Sequence, residues 1–418
     1  MKVSLSHLTG SPFSRNAALA LHEAGLLQEV VAAFGFKNQA SIDRIVARFP
    51  KRFEAWLKRE LGRRNWQLPA GVRFSTHGRR EFLRAILSAT KAHRFVHVPH
   101  DKLVNRNAVA LDRAFARGHM DGLDGIYCYE DTAALSFQEA KKRGIVRLYD
   151  LPIMHYKMSR AIMREEVDAF PEFRDALQAV CEPDWKIERK EQEIALADHI
   201  IVASSVTLRS LNAIGTPAEK ISVVPYGGPV DYFHPLQRVD DIFRVAFIGL
   251  VGPRKGVHYL LRAWKELKLT DSELMMVGGL QFPEKWFAQN LGNASYTPSV
   301  PHAQLNQYYG KASVFVFPSL VEGFAMVLLE AMACGVPIIT TPNTAGPDII
   351  TDGVEGFIVP LRDVDALKEK IQWCHDHPAE LRAMGVAARK KAEEFTWARF
   401  RAKLGAECGR VLERVRNA

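Results

Sequence analysis

SVFVFPSLVEGFAMVLLEAMACGVPIITTPNTAGPDII, residues 313–350, is the stretch on which the reading of the chain turns. It opens with Val314–Phe317, a short apolar run of β-branched and aromatic residues that reads as a buried strand. Pro318 and Ser319 stop that strand, and Gly323 lies in the loop that follows. Residues 325–333 (AMVLLEAMA) are good helix formers with neither Pro nor Gly, so a buried helix is expected there. Gly335 ends it at the C′ position, with Pro337 just beyond. A second apolar strand is expected over residues 336–340, then a Gly346-Pro347 turn and another helix. Strand, helix and strand at this spacing make a unit of a parallel sheet, and α/β folds bind ligands at the carboxyl edge of such sheets.

Two carboxylates punctuate the unit, Glu322 in the loop and Glu330 on an otherwise apolar helix. A buried carboxylate is costly unless it is paired or hydrogen-bonded, so Glu330 needs a partner. Eight helical residues would separate the two by roughly 12 Å. Paired carboxylates that flank one glycosidic bond lie only about 5–9.5 Å apart. Glu322 and Glu330 therefore look like grips on the two ends of an elongated ligand. The plainer alternative is a surface Glu322 and a Glu330 paired with a nearby Arg.

The pattern Glu322-x7-Glu330, set in PSLVEGFAMVLLEAMACGVPII, resembles the donor-site signature of glycosyltransferase family 4, and the resemblance runs from about Glu188 to Val359. It implies an α/β fold of the GT-B kind, two Rossmann-like doubly wound domains facing across a cleft. It implies retaining transfer of a hexosyl group from a nucleoside diphosphate sugar to an acceptor. By the same resemblance Glu330 binds the ribose hydroxyls, while Glu322, Gly323, Phe324 and Ala325 hold the transferred sugar and the diphosphate. A sugar phosphorylase or a nucleotide-sugar epimerase of the same fold stays open as an alternative.

From its start, the chain of 418 residues has length for two domains, and 47% hydrophobic residues are enough for two cores. The division expected is residues 1–228 on the acceptor side, rejoined by a C-terminal helix at about 395–418, and residues 229–394 on the donor side. No run approaches a membrane span, and MKVSLSHL reads as a first strand rather than a leader. Five scattered cysteines fit reduced thiols, and the expected location is cytoplasmic.

Gly10 and Ser11, between the first strand and helix, leave backbone N–H groups at a helix N-terminus, an anion site that in the family faces the donor phosphates. Glu130, Asp150 and His155 follow the strands GIYCY and IVRLYDLP, and groups there point into the crevice. The resemblance makes His155 a catalytic candidate beside Glu322, near the transferring sugar. Residues 225–229 (PYGGP) mark a hinge between lobes.

Farther on, Gly249, Gly252 and Gly256 flank Arg254 and Lys255 between a strand and an amphipathic helix. Cations with glycine-freed amides at a helix start suit a diphosphate, and no Walker A pattern is present. In the family, backbone near Tyr296 and Thr297 touches the base. These cations and helix N-termini would stabilise the leaving group without a required metal or other cofactor.

Residues 37–102 hold 16 Lys or Arg against 5 Asp or Glu, in a chain of net charge +9. IVARFPKRFEAWLKRELGRRNW mixes aromatics with cations, which suits an anionic membrane surface or a polyanionic acceptor; a solvated basic face is the plainer alternative. His93, His97 and His100 have a spacing a metal cluster could use, but FVHVPH is strand-like and Pro99 spoils helical geometry, so no metal site is expected. A nucleic-acid-binding protein would rest on charge alone, because no recognisable binding motif is present. The partners expected are a nucleotide-sugar donor and a sugar or glycolipid acceptor, with peripheral contact to anionic membrane and no nucleic acid.

Overall fold

A computed structural model of the chain describes residues 1–62, 64–77, 100–238 and 240–417. Two parallel sheets organise them. The first holds β1 (Val3–His7), β2 (Leu27–Ala32), β3 (Arg73–Thr76), β4 (Gly125–Tyr129), β5 (Val146–Leu151), β6 (His199–Val202) and β7 (Ile221–Val223), in the order β3-β2-β1-β4-β5-β6-β7. The second holds β8 (Phe243–Ile248), β9 (Ser272–Val277), β10 (Ser295–Thr297), β11 (Val314–Phe317), β12 (Ile338–Thr340) and β13 (Gly356–Ile358), in the order β10-β9-β8-β11-β12-β13. Parallel strands need crossover connections, and helices supply them.

In the first lobe these are α1 (Pro12–Glu23), α2 (Gln39–Val46), α3 (Glu54–Gly62), α4 (His100–Gly118), α5 (Ala134–Lys142), α6 (Tyr156–Ala169), α7 (Asp184–Leu196) and α8 (Ser205–Asn212). The second lobe carries α9 (Val257–Leu267), α10 (Glu284–Asn290), α11 (Leu305–Tyr309), α12 (Met326–Ala333), α13 (Gly346–Ile349), α14 (Val364–Asp376) and α15 (Pro378–Ala392), and α16 (Trp397–Arg416) closes the chain. The doubly wound pairing that the resemblance implies is thus present in both lobes. β4 and β11 are buried along their whole length, which is why both read as unbroken apolar runs.

The strand order reverses between β1 and β4 in one sheet and between β8 and β11 in the other. Those switch points open crevices at the carboxyl ends of the strands. The loops that leave them carry Gly10 and Glu130 on one side and residues 249–256 and 318–325 on the other. The chain crosses between lobes twice, and the crossings touch: the Gly228 N–H donates to the Phe395 carbonyl at 2.7 Å. α16 then lies on α1 of the first lobe, where Arg401 pairs with Glu23 at 2.7 Å and donates to Asn16 at 3.1 Å.

Several local expectations are corrected. The helix after Gly323 starts at Met326, because Ala325 adopts a left-handed conformation with φ of 71° and serves as its N-cap. The strand expected over residues 336–340 is confined to Ile338–Thr340, and Gly346-Pro347 opens α13 instead of forming a turn before it. α1 begins at Pro12, so the loop holding Gly10 and Ser11 is shorter than its sequence suggests. His93 and His97 lie outside the described residues, and His100 opens a helix where a strand was expected.

Candidate functional site

The turn after β8 places a cation pair at the second lobe's switch point. Pro253–Lys255 makes a single 3₁₀ turn, and α9 starts two residues after Lys255. Lys255 is buried, its ammonium bonds Glu322, and it lies 5.1 Å from the centre of the Phe317 ring. Arg254 donates to the Val321 carbonyl at 2.7 Å and reaches Glu322 at 3.3 Å. The Ser319 hydroxyl completes the set, donating to Glu322 at 2.7 Å. Glu322 is therefore a buried anion, not a surface residue. Burial pushes its carboxyl up, but Lys255, Arg254 and Ser319 outweigh that and hold it below the usual range. Both cations share the single Glu322 carboxylate, which leaves the cluster with one net positive charge.

Glu330, one turn into α12, is buried too, and its partners are not arginines. The Tyr309 hydroxyl donates to one carboxylate oxygen at 3.0 Å, and His302 Nε2 lies 3.0 Å from the other. Tyr309 is fully buried, whereas the His302 side chain is 59% exposed. Sequence reasoning missed both. The signal was the requirement that a buried carboxylate have donors, but nothing in VPHAQLNQYYG says which of its polar groups turn inward. Tyr296 donates to the Gly278 carbonyl at 2.9 Å, and the Thr297 carbonyl accepts the Gly278 N–H at 3.0 Å, so both brace the turn after β9.

Across the cleft the first lobe presents less open groups than expected. Ser11 caps α1, its hydroxyl accepting the Ser14 N–H at 3.2 Å. Gly10 packs against the indole of Trp66, where an added β-carbon would come within 3.3 Å of the ring. His155 is 1% exposed and caps α6, its Nδ1 accepting the Lys157 N–H at 3.4 Å. Its Nε2 has no partner among the described residues, and burial, helped by Lys157 and Lys190, lowers its pKa to about 4. The imidazole is therefore neutral at pH 7. The side chain is buried, not open to solvent.

Asp150 faces the interior, bonded by the Tyr127 hydroxyl at 2.6 Å, and burial raises it to about 7. Glu130 is 3.6 Å from Lys190; burial raises it to about 7 against the pull of that lysine.

The donor-side loop touches the first lobe directly. A β-carbon on Gly323 would lie 1.8 Å from the Pro152 carbonyl oxygen, so only glycine allows this approach. The Gly323 carbonyl accepts from the hydroxyls of Ser204 and Thr207, and Asp348 accepts the Ser205 N–H at 3.0 Å. These contacts bring Glu322, Gly323, Phe324 and Ala325 next to the segment that leads from β5 to His155. Among the described residues no group of three or more His, Cys, Asp or Glu is placed to hold a metal ion, and no helix is long and apolar enough to cross a membrane.

Two parallel doubly wound sheets facing across a cleft, with a cation-lined loop at one switch point, define an α/β enzyme fold of the GT-B kind. Sucrose-phosphate synthase from Thermosynechococcus elongatus shares that fold with a TM-score of 0.68 and 19% identity, over 99% of each chain. Residues 232–391 match the family described as "Glycosyl transferases group 1". The D-inositol 3-phosphate glycosyltransferase of Kribbella flavida is 29% identical over 244 residues, covering 52% of this chain and 58% of that protein. The GDP-mannose-dependent alpha-(1-6)-phosphatidylinositol monomannoside mannosyltransferase of Mycolicibacterium smegmatis is 30% identical over 226 residues, covering 48% of this chain and 59% of that protein. The chain thus matches little more than half the length of these relatives. The family likeness thus lies in residues 232–391, the second lobe and its switch-point loops.

Proposed function

We propose that the chain moves a hexosyl group from a nucleoside diphosphate sugar to a sugar or glycolipid acceptor, with retention at the anomeric carbon. The observation that carries this reading is the buried Lys255–Glu322–Arg254 cluster at the second lobe's switch point, with Gly323 in contact with the first lobe beside it. In this reading residues 229–394 hold the donor, and residues 1–228 with the returning helix at about 395–418 hold the acceptor. Glu330 takes the ribose. Lys255 and Arg254 meet the diphosphate, together with N–H groups at the start of α12, and Glu322 is freed to hold the sugar. His155 contacts the sugar near its anomeric centre, and Gly10 and Ser11 face the phosphates from the opposite wall. Negative charge on the departing diphosphate is met by fixed cations and helix N-termini, so no metal is required. The proposed location is cytoplasmic, with α2 and α3 in peripheral contact with anionic lipid.

The test is calorimetry against UDP, GDP, ADP and the matching nucleosides in excess EDTA. Wild type is expected to bind one diphosphate. Lys255→Ala is expected to lose affinity for that diphosphate by about 10-fold or more, the scale of a charge-assisted hydrogen bond, while nucleoside affinity is kept. Equal losses for diphosphate and nucleoside would remove Lys255 from the phosphate site. Binding that needed a divalent ion would overturn the metal-free reading.

A further inference from the structure

Away from the cation cluster, the two lobes are joined by a second polar contact. Glu166, on α6 of the first lobe, is fully buried, and among the described residues its side-chain donors all come from the second lobe. His258 Nε2 lies 2.6 Å from one carboxylate oxygen, and the Tyr259 hydroxyl donates to the same oxygen at 2.9 Å. Arg362 Nε donates to the other oxygen at 2.9 Å. The same guanidinium reaches Glu165 at 2.7 Å and the Ile162 carbonyl at 2.8 Å, so one arginine spans the α6 surface. Arg362 does this from a left-handed backbone with φ of 64°, a conformation disfavoured for a residue with a β-carbon.

Aromatic packing continues the joint. Phe170 and Phe173, just past α6, meet His258, Phe282 and Trp286 with ring centres 4.9–5.4 Å apart. Burial pushes the Glu166 carboxyl up, but His258, Arg362 and Tyr259 outweigh it and keep it ionised.

The position of this contact gives it a consequence for the cleft. α6 is the helix that His155 caps, and α9, which carries His258 and Tyr259, begins two residues after Lys255. α6 thus runs from His155 to Glu166, where its far end is fastened to the first turn of α9, just past Lys255, and to Arg362 in the turn after β13. A buried ion pair is expensive to assemble and costs several kcal/mol to break on one side. It therefore suits a fixed joint better than a sliding one.

We propose that Glu166 is a positioning residue: by clasping His258, Tyr259 and Arg362 it holds α6 against α9 and so sets the distance between His155 and Lys255. The lobes then meet a ligand already closed. This rests on the glycosyltransferase reading for the meaning of that distance, though not for the clasp itself.

Small-angle scattering of the full chain without ligand, and with saturating UDP or GDP, tests the clasp directly. Wild type is expected to keep one radius of gyration in all three states. Glu166→Ala and the milder Arg362→Gln are expected to expand when free. Nucleotide release from UDP-glucose and GDP-mannose is the second readout. A misplacement of about 1 Å costs on the order of 10²-fold in rate, so kcat should fall on that scale in Glu166→Ala while UDP or GDP affinity stays within about 2-fold. Glu166→Asp is expected to restore part of the turnover.

A wild type that contracts on nucleotide binding, or an Arg362→Gln with unchanged radius and unchanged kcat, would overturn the proposal. If Glu166→Ala fails to fold, Arg362→Gln, altered on a partly exposed side chain, still decides it. A wild type inactive on both sugars would count against the transferase reading, while scattering would still decide the clasp.

Discussion

Glu322 and Glu330 lie eight residues apart, and both are buried, but their charges are met in opposite ways. Glu322 is enclosed by Lys255, Arg254 and Ser319, which a diphosphate would compete for. Glu330 rests on the Tyr309 hydroxyl and the half-open His302. The spacing of the two carboxylates was legible, as was the need of Glu330 for a partner. The partners themselves were not, because they are joined through the tertiary fold across gaps of 21 and 28 residues. Glu330→Gln is expected to weaken nucleotide binding by about 1.5–3 kcal/mol, the value of hydrogen bonds to a charged group. Calorimetry showing unchanged affinity in a folded variant would remove Glu330 from the ribose site.

The His302 contact also carries a sign. The hydrogen bond to Glu330, against some burial, raises His302 above its ordinary 6.5. A raised folded value means stability that is fully present below pH 6.5 and lost as the pH rises through the higher folded pKa. His302→Ala should therefore lower the melting temperature relative to wild type at pH 6 and approach it at pH 9. A constant difference across that range would show that the pair does not titrate with folding.

Elements were easier to read than their ends. β11 is found where its β-branched and aromatic residues placed it, and Gly335 lies one residue past the Cys334 cap with φ of 72°, as a C′ glycine should. α12 starts one residue late because Ala325 turns left-handed, and helix propensity cannot foresee a loop pulled against Pro152 by Gly323. His155 was placed after the right strand, but its role as the buried cap of α6 depends on the turn that follows β5. His155→Ala is expected to keep nucleoside diphosphate affinity and to lose roughly 10²-fold in turnover, the scale of one positioned polar group. Wild-type turnover would shift attention to Glu130.

The final helix offers a cleaner stability test. On Gly405 a β-carbon would meet the Ala20 carbonyl of α1 at 2.9 Å, while on Gly409 it would meet nothing within 4 Å. Gly409→Ala should stabilise by about 0.5–1 kcal/mol, the helix-interior difference between the two residues. Gly405→Ala should destabilise by about 1–3 kcal/mol through overpacking. Denaturant unfolding in which Gly405→Ala gained as much as Gly409→Ala would show that α16 does not dock on α1 in solution.

At the scale of the whole molecule, two parallel sheets were legible from periodicity, and the clustered Gly and Pro of residues 225–229 lie where the chain passes from one sheet to the other. The joint between the lobes was not, since Glu166 and Arg362 lie 196 residues apart and no local pattern links them. The basic first-lobe surface is the remaining question at this scale. α3 has no fully buried side chain, and Phe49 and Phe53 are 50% and 41% exposed beside Lys51. Lys58 pairs with Glu54 at 2.8 Å, but both side chains are nearly half exposed, so this pair holds little charge back from a membrane. Exposed aromatics among cations suit the interface of an anionic bilayer, where each Lys or Arg adds about 1 kcal/mol at moderate salt. Reversing Lys51, Lys58 and Arg59 to Glu, with Phe49→Ser, should abolish sedimentation with phosphatidylglycerol liposomes at low salt. Diphosphate affinity should stay as in wild type, because Lys255, Arg254 and Glu330 belong to the other lobe. If wild type itself stayed in the supernatant, the stretch would be a solvated basic face and the acceptor would have to be sought in solution.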